Sequence, residues 1–225
     1  MSLLNKTIQE ITPQDQEWRD QAKGRLDQLT MPHWALGRLM DLAVDLAGMT
    51  RSLTPPVARK AVVVMAGDHG VVAEGISKFP QEVTPQMVGN FVNGGAGINA
   101  LARQAGARVV VVDMGVAGDL SGMARSGKII DRKIAHGTAN LAVGPAMSRE
   151  QAVAALEAGI GVALELADTV DLFGTGDMGI GNTTPSAAIV ATLTGASVEK
   201  VTGRGTGLDN AQLDHKVAVI KKGLS

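Results

Sequence analysis

A glycine-rich stretch at residues 170–185 constrains the fold more than any other part of the sequence. An apolar run is followed by four glycines, by the carboxylate of Asp177 and by a Thr-Thr-Pro helix start. We predict a strand over 169–173 and a helix over 185–193, with Thr184 as its N-cap. Glycines between a strand and a helix N-terminus bring bare backbone amides close to an anion, so this turn is a candidate phosphate site.

The same glycines also fit a second pattern. Gly174, Gly176 and Gly179 have the spacing of a dinucleotide-binding fingerprint, and Glu199 follows about 20 residues later, where an acidic ribose ligand is expected. The fingerprint requires a helix that begins among its glycines, whereas the predicted helix begins later. We therefore favour a longer loop that holds phosphate and ribose, with a plain strand-to-helix turn as the remaining alternative.

Composition limits the classes of protein to consider. The chain has 225 residues, 45% of them hydrophobic, which is enough for a substantial core. A net charge of −1 without a cluster of lysine and arginine argues against a nucleic-acid partner. The absence of cysteine excludes disulfides and thiolate metal sites. No signal peptide or membrane-spanning apolar run is recognisable, so we expect a cytoplasmic protein without a membrane partner.

Apolar strands alternate with helices after residue 56. Continuous apolar runs at 61–66 and 108–113 are typical of strands buried in a parallel sheet. Long helices are expected from Ser148 and from Asp209, each of which is a suitable N-cap. This alternation predicts an α/β fold with a doubly wound parallel sheet over 57–225. Residues 1–56 carry helical patterns only, and we interpret them as a helical annex or dimer-contact segment.

Further site candidates lie outside the first glycine stretch. Asp68 and His69 follow the first strand, where ligands gather in open α/β sheets, although a simple turn is equally compatible. A metal site would need a third ligand such as His136 or Asp113, and we expect none. Asp113 itself could hold a ribose hydroxyl or cap the next turn. A second glycine cluster at 203–207 offers Arg204 or Lys216 to an anion.

Five motifs resemble those of one enzyme family, in the family's order. The sequence resembles the nicotinate-nucleotide–dimethylbenzimidazole phosphoribosyltransferase family from about residue 30 onward. The motifs are AGDHGV at 66–71, PQEVTPQM at 80–87, DMGV at 113–116, GIGNTT at 179–184 and GRGTGLD at 203–209.

The resemblance implies both a reaction and an architecture. The reaction is transfer of phosphoribose from nicotinate mononucleotide to 5,6-dimethylbenzimidazole, which gives α-ribazole 5′-phosphate and nicotinate for the lower ligand of cobalamin. The implied architecture is a Rossmann-like sheet with a small helical domain, assembled as a homodimer. No metal or organic cofactor is implied.

The resemblance also implies roles for individual residues. The loop from Asp177 to Thr183 would lie along the nucleotide, with Gly179 and Gly181 leaving room for ribose and phosphate. Asn182, Thr183 and Gly205 would contact the substrate, and Lys216 would balance the phosphate charge. Gln86 and Met87 would border the benzimidazole pocket.

Family members are roughly half as long again as this chain. The resemblance implies that the additional part carries the glutamate that takes the benzimidazole proton, so the domain at 57–225 is expected to be incomplete at its C-terminus. Asp177 stands where the family usually has glutamate, and it is the catalytic candidate within this chain. Two alternatives are a non-catalytic nucleotide-binding remnant of the same fold and a dinucleotide binder.

Overall fold

The computed structural model describes residues 2–225, which form two compact units. The first unit ends at Ala58, and the second spans Arg59–Ser225. No helix among the described residues is long and apolar enough to cross a membrane.

Three helices form the first unit, and they are α1 (Leu3–Glu10), α2 (Gln16–Asp27) and α3 (Arg38–Thr50). Asp15 is the N-cap of helix α2, because its carboxylate accepts hydrogen bonds from the backbone N–H groups of Glu17 and Trp18. A small apolar cluster packs α2 against α3, and its members are Ala22, Leu26, Trp34, Val44 and Ala47. The assignment of this unit as an annex or dimer contact stays a prediction.

The second unit is built on a parallel sheet of four strands in the order β3-β2-β1-β4. The strands are β1 (Lys60–Gly67), β2 (Ala107–Gly115), β3 (Ile130–Asp131) and β4 (Leu172–Met178). The helices are α4 (Val83–Val92), α5 (Gly97–Ala105), α6 (Ser121–Arg125), α7 (Arg149–Ala167), α8 (Thr183–Thr194), α9 (Val198–Val201) and α10 (Asn210–Leu224), with a 3-10 turn at Gly70–Glu74.

Helices cover both faces of this sheet, which confirms the predicted α/β fold. Neighbouring residues of β2 point to opposite faces. Val111 joins a cluster that includes Val88 of α4, whereas Val112 joins a cluster that includes Val162 of α7. Because β1, β2 and β4 run parallel, their carboxyl ends lie at the same edge of the sheet.

Strand β4 extends farther than predicted. The prediction ended it at Phe173, but Gly174 and Gly176 lie inside the strand, paired with Val62 and Val64 of β1. A Cβ added to either glycine would lie 3.3 Å or 3.1 Å from the nearest valine methyl group. These two glycines therefore accommodate the valine side chains of the neighbouring strand and do not belong to a loop.

Helix α8 also begins differently from the prediction. Asn182 is its N-cap residue, and Thr183 is its first helical residue. Thr184 is not the cap, since it is the second helical residue and its hydroxyl has no hydrogen-bond partner among the described residues. Pro185 is the third helical residue. The first four N–H groups of a helix have no partner within the helix, so the lack of an N–H in proline costs no hydrogen bond at this position.

Candidate active site

Two cavities open near the carboxyl end of β4. The first, which we call the Lys216 cavity, has a volume of about 260 Å³ and is lined by residues 178–183 together with Ile76, Ser77, Gly205, Thr206 and Lys216. The second, the Asp68 cavity, has a volume of about 680 Å³ and is lined by the ends of β1, β2 and β4 and by residues from 134 to 155.

Lys216 is the most unusual residue of the first cavity. Its side chain is buried, and its ammonium donates hydrogen bonds to Thr183 Oγ1 at 2.6 Å and to the carbonyl oxygen of Gly203 at 3.3 Å. Burial lowers the pKa of this lysine. Within the described chain no carboxylate lines the cavity or pairs with this ammonium. Two neutral partners use two of its three N–H groups, so the site can still bind an anion.

The turn between β4 and α8 forms the opposite wall. A Cβ on Gly179 would overlap the carbonyl oxygen of Gly67, so only glycine fits there. Gly181 has a φ of +85°, and a Cβ on it would lie 2.8 Å from a methyl group of Val72. This turn therefore depends on glycine for close packing at one position and for a left-handed backbone at the other.

Two side chains fix this turn. Thr84, fully buried on α4, accepts a hydrogen bond through Oγ1 from the backbone N–H of Ile180 at 3.1 Å. The amide of Asn182 donates to Asp177 Oδ2 at 2.9 Å. Sequence reasoning missed the role of Thr84, because its partner lies 96 residues away in the sequence.

Six residues expected to bind the substrate line the Lys216 cavity together. They are Gly179, Gly181, Asn182, Thr183, Gly205 and Lys216. Gly205 closes the site around the ammonium, since a Cβ on it would lie 3.3 Å from Nζ of Lys216. The two glycine stretches, which are separate in sequence, thus meet at one lysine.

The other three predicted site residues lie elsewhere. Asp177 is exposed at the end of β4 and lines the Asp68 cavity, although its contact with Asn182 links it to the turn. Gln86 is exposed and Met87 half-buried on α4, and neither belongs to the lining of these two cavities.

The structure discriminates between several alternatives left open by the sequence. Asp113 accepts hydrogen bonds from the N–H groups of Gly115 and Val116 and pairs with Lys133 at 3.2 Å, so it caps the turn after β2. Glu199 pairs with Lys221, which lowers its pKa. Because two fingerprint glycines also lie inside β4, the geometry disfavours the dinucleotide alternative.

Asp68 and His69 occupy the end of β1. Asp68 is buried, and its Oδ2 accepts a hydrogen bond from the N–H of Ala117 at 2.8 Å. His69 is half-buried, and burial lowers its pKa although the charges of Asp177 and Asp68 act in the opposite direction. Among residues 2–225 no group of three acidic or histidine side chains is arranged to hold a metal ion.

Comparisons with known proteins identify similar sequences and structures. A family model described as phosphoribosyltransferase matches residues 11–225. A nicotinate-nucleotide–dimethylbenzimidazole phosphoribosyltransferase from Syntrophotalea carbinolica is 64% identical over all of this chain and 64% of its own length. One from Desulfotalea psychrophila is 60% identical, with 63% of its length covered.

A solved structure is similar as well. The crystal structure of CobT from Thermus thermophilus superimposes with a TM-score of 0.85 at 48% identity, covering 92% of this chain and 61% of that one. The chain thus spans less than two thirds of the length of these relatives. By the match of the family model, which covers nearly the whole chain, it belongs to this phosphoribosyltransferase family.

Proposed function

We propose that the protein carrying this chain transfers phosphoribose from nicotinate mononucleotide to 5,6-dimethylbenzimidazole in cobalamin lower-ligand assembly. The observation that carries the proposal is the buried ammonium of Lys216, which has two neutral hydrogen-bond partners. A buried cation without a paired carboxylate is costly, and a bound phosphate would offset that cost. The names of the similar proteins agree with this substrate.

The cavity supports one orientation of the nucleotide. The phosphate would contact Lys216, Thr183 and the turn at Gly179 and Gly181, which all line the same cavity. The ribose would then extend towards Asn182 and Asp177, which are joined by a hydrogen bond. This orientation leaves the anomeric carbon close to Asp177, whose carboxylate accepts a hydrogen bond from the turn.

The proposed reaction exchanges one C–N bond for another. A benzimidazole ring nitrogen forms a bond with the anomeric carbon while the bond to the nicotinate nitrogen breaks and its electron pair leaves with nicotinate. The benzimidazole N–H proton is released to a base. In this scheme Asp177 stabilises the positive charge that develops on the ribose, a role for which a fixed carboxylate is suited.

Calorimetric titration with nicotinate mononucleotide tests the binding part. We expect Lys216→Met to weaken binding at least tenfold, because it removes the charge that faces the phosphate. Lys222→Met is the matched control, since this lysine is exposed on the same helix α10. Equal affinities for the two variants would contradict the proposed phosphate position.

Nicotinate release in the presence of dimethylbenzimidazole tests the catalytic part. Release above background that is lost in Asp177→Asn, while nucleotide binding is retained, would support the assigned role. Binding without release would favour the non-catalytic nucleotide-binding alternative for this chain.

The proposal also includes a cytoplasmic homodimer that acts on small molecules and not on nucleic acid. Light scattering at micromolar concentration tests the assembly. A single species with a mass of 23.2 kDa would contradict a homodimer of this chain.

A further inference from the structure

Residues 74–78 contribute one wall of the Lys216 cavity, although the proposed reaction gives this segment no role. Ile76 and Ser77 both line the cavity. Ile76 is buried, and a Cβ built on Gly181 would lie 3.2 Å from its Cδ1 atom. The segment therefore packs directly on the turn that is expected to hold the phosphate.

The middle and the end of this segment are loosely packed. Gly75 is exposed and has a φ of +72°, and no atom of the described residues lies within 4 Å of a Cβ built on it. Lys78 is exposed as well. Backbone with few buried side chains opens at a small cost in free energy, so a single hydrogen bond can decide how often the segment is docked.

Helix α10, which carries Lys216, also holds the start of the segment. Nε2 of His215 lies 2.6 Å from the carbonyl oxygen of Glu74. A carbonyl oxygen can only accept, so Nε2 is the donor. Lys222 of the same helix lies 3.9 Å from Glu74 Oε2, but an exposed ion pair at this distance contributes little. Two adjacent residues of α10 thus deliver the ammonium to the cavity and the imidazole ring to its wall.

Two further hydrogen bonds involve side chains outside α10. The amide of Asn140 donates to Glu74 Oε1 at 2.6 Å, and the N–H of Lys78 donates to Thr206 Oγ1 at 3.2 Å. The first of these holds only the side chain of Glu74, and the second holds the far end of the segment. The contact of His215 fixes the backbone at the point where the chain leaves the 3-10 turn.

We propose that His215 is a positioning residue of the anion site: its hydrogen bond to Glu74 holds residues 75–78 against the turn at Gly181 and thereby sets the affinity of the Lys216 cavity for phosphate. This role rests on the proposed function, because it takes the ligand of the cavity to be a phosphate group. The apparent affinity falls with the fraction of molecules in which the segment is docked.

Two amide substitutions that differ by one methylene group test this role. His215 is exposed, so the fold tolerates either amide. In His215→Gln the side-chain amide can reach the carbonyl oxygen of Glu74, whereas the shorter side chain of His215→Asn leaves that oxygen without the donor. Titration with inorganic phosphate, followed by NMR, should show about fivefold weaker binding for His215→Asn and an affinity within about twofold of the unmodified chain for His215→Gln.

His33→Asn is the matched control. It makes the same substitution at a histidine of the first unit whose side chain is 80% exposed, and it should bind phosphate as the unmodified chain does. Equal phosphate affinities for His215→Asn and His215→Gln would overturn the proposal.

Amide hydrogen exchange without ligand gives a second measurement. The N–H of Lys78 should exchange faster in His215→Asn than in His215→Gln, while the amides of α7 exchange equally in both. Faster exchange throughout the second unit would mean that His215 only stabilises the fold, and the positioning role would be wrong.

Comparing phosphate with nicotinate mononucleotide separates this role from the proposed function. If phosphate ranks the variants as expected but nicotinate mononucleotide does not bind, the positioning role stands and the proposed substrate is wrong. If nicotinate mononucleotide binds both variants of His215 equally well, the proposed function stands and the positioning role is wrong. If the unmodified chain binds neither ligand, both are wrong.

Discussion

The two cavities differ in charge although they adjoin each other. The Lys216 cavity has a buried cation and no acidic lining residue, whereas the Asp68 cavity has two carboxylates and no lysine or arginine, within the described chain. They meet where Gly179 packs on His69, since a Cβ on Gly179 would lie 3.0 Å from His69 Nε2. One end of the sheet therefore carries a cavity with a buried cation and a cavity with two carboxylates, on opposite sides of a single turn.

The largest loss of stability is expected from Gly179→Ala. The new methyl group would overlap the carbonyl oxygen of Gly67, so the turn that separates the cavities must move. We expect a loss of about 3 kcal/mol in the free energy of unfolding, measured with urea, together with loss of nucleotide binding.

The control for this substitution is Gly203→Ala in the second glycine cluster. No atom lies within 4 Å of a Cβ built there, so we expect a change in stability within about 0.5 kcal/mol. Similar destabilisation by both substitutions would show that close packing at Gly179 is not the cause.

A smaller effect is expected at Thr84. Thr84→Val keeps the shape of the side chain but removes the acceptor of the buried Ile180 N–H, which should cost about 2 kcal/mol. The valine variant should also bind nicotinate mononucleotide more weakly, whereas Thr84→Ser retains the hydroxyl group and should keep the affinity of the unmodified chain. A serine variant that binds the nucleotide no better than the valine variant would rule out the hydrogen bond as the reason.

The sequence predicted those features of the fold that depend on neighbouring residues. The starts of α7 and α10 were predicted correctly, because Ser148 with Gln151 and Asp209 with Gln212 form local capping boxes. The family and the α/β fold followed from motifs and alternation along the chain. Six predicted binding residues lie together, but their roles as ligands stay predictions.

The errors arose where a distant partner decides the structure. Gly174 and Gly176 indicated a loop locally, whereas packing against Val62 and Val64 makes them part of a strand. The contact between Thr84 and Ile180 likewise has no local signal. Asp177 is hydrogen-bonded to Asn182 of the anion loop and also lines the Asp68 cavity, and its catalytic role stays a prediction.

Lys216→Met tests how the buried cation of the Lys216 cavity affects stability. Without ligand we expect this substitution to stabilise the fold by about 1 kcal/mol, because it removes a buried ammonium that lacks a charged partner. Burial lowers the pKa of Lys216, so its charge disfavours the folded state at neutral pH, and that penalty is relieved as pH rises through the folded pKa.

Unfolding with urea at neutral and alkaline pH measures this effect. The advantage of Lys216→Met over the unmodified chain should shrink as pH rises. A variant that is less stable at neutral pH would mean that the hydrogen bonds of Lys216 outweigh its desolvation, and the ammonium would then be structural.

The smallest effect concerns His69, which lies between the two cavities. Burial lowers its pKa from 6.5, against the opposing influence of the carboxylates Asp177 and Asp68. The unfolded chain therefore binds the proton more readily, and stability should fall as pH drops below about 6.5 towards the folded pKa. His69→Gln should reduce this dependence, and His33→Gln, which replaces a histidine with an 80% exposed side chain, is the control for loss of a histidine. Identical pH dependence in all three proteins would mean that His69 is protonated as easily in the folded state as in the unfolded chain, and burial would then not be the cause of the dependence.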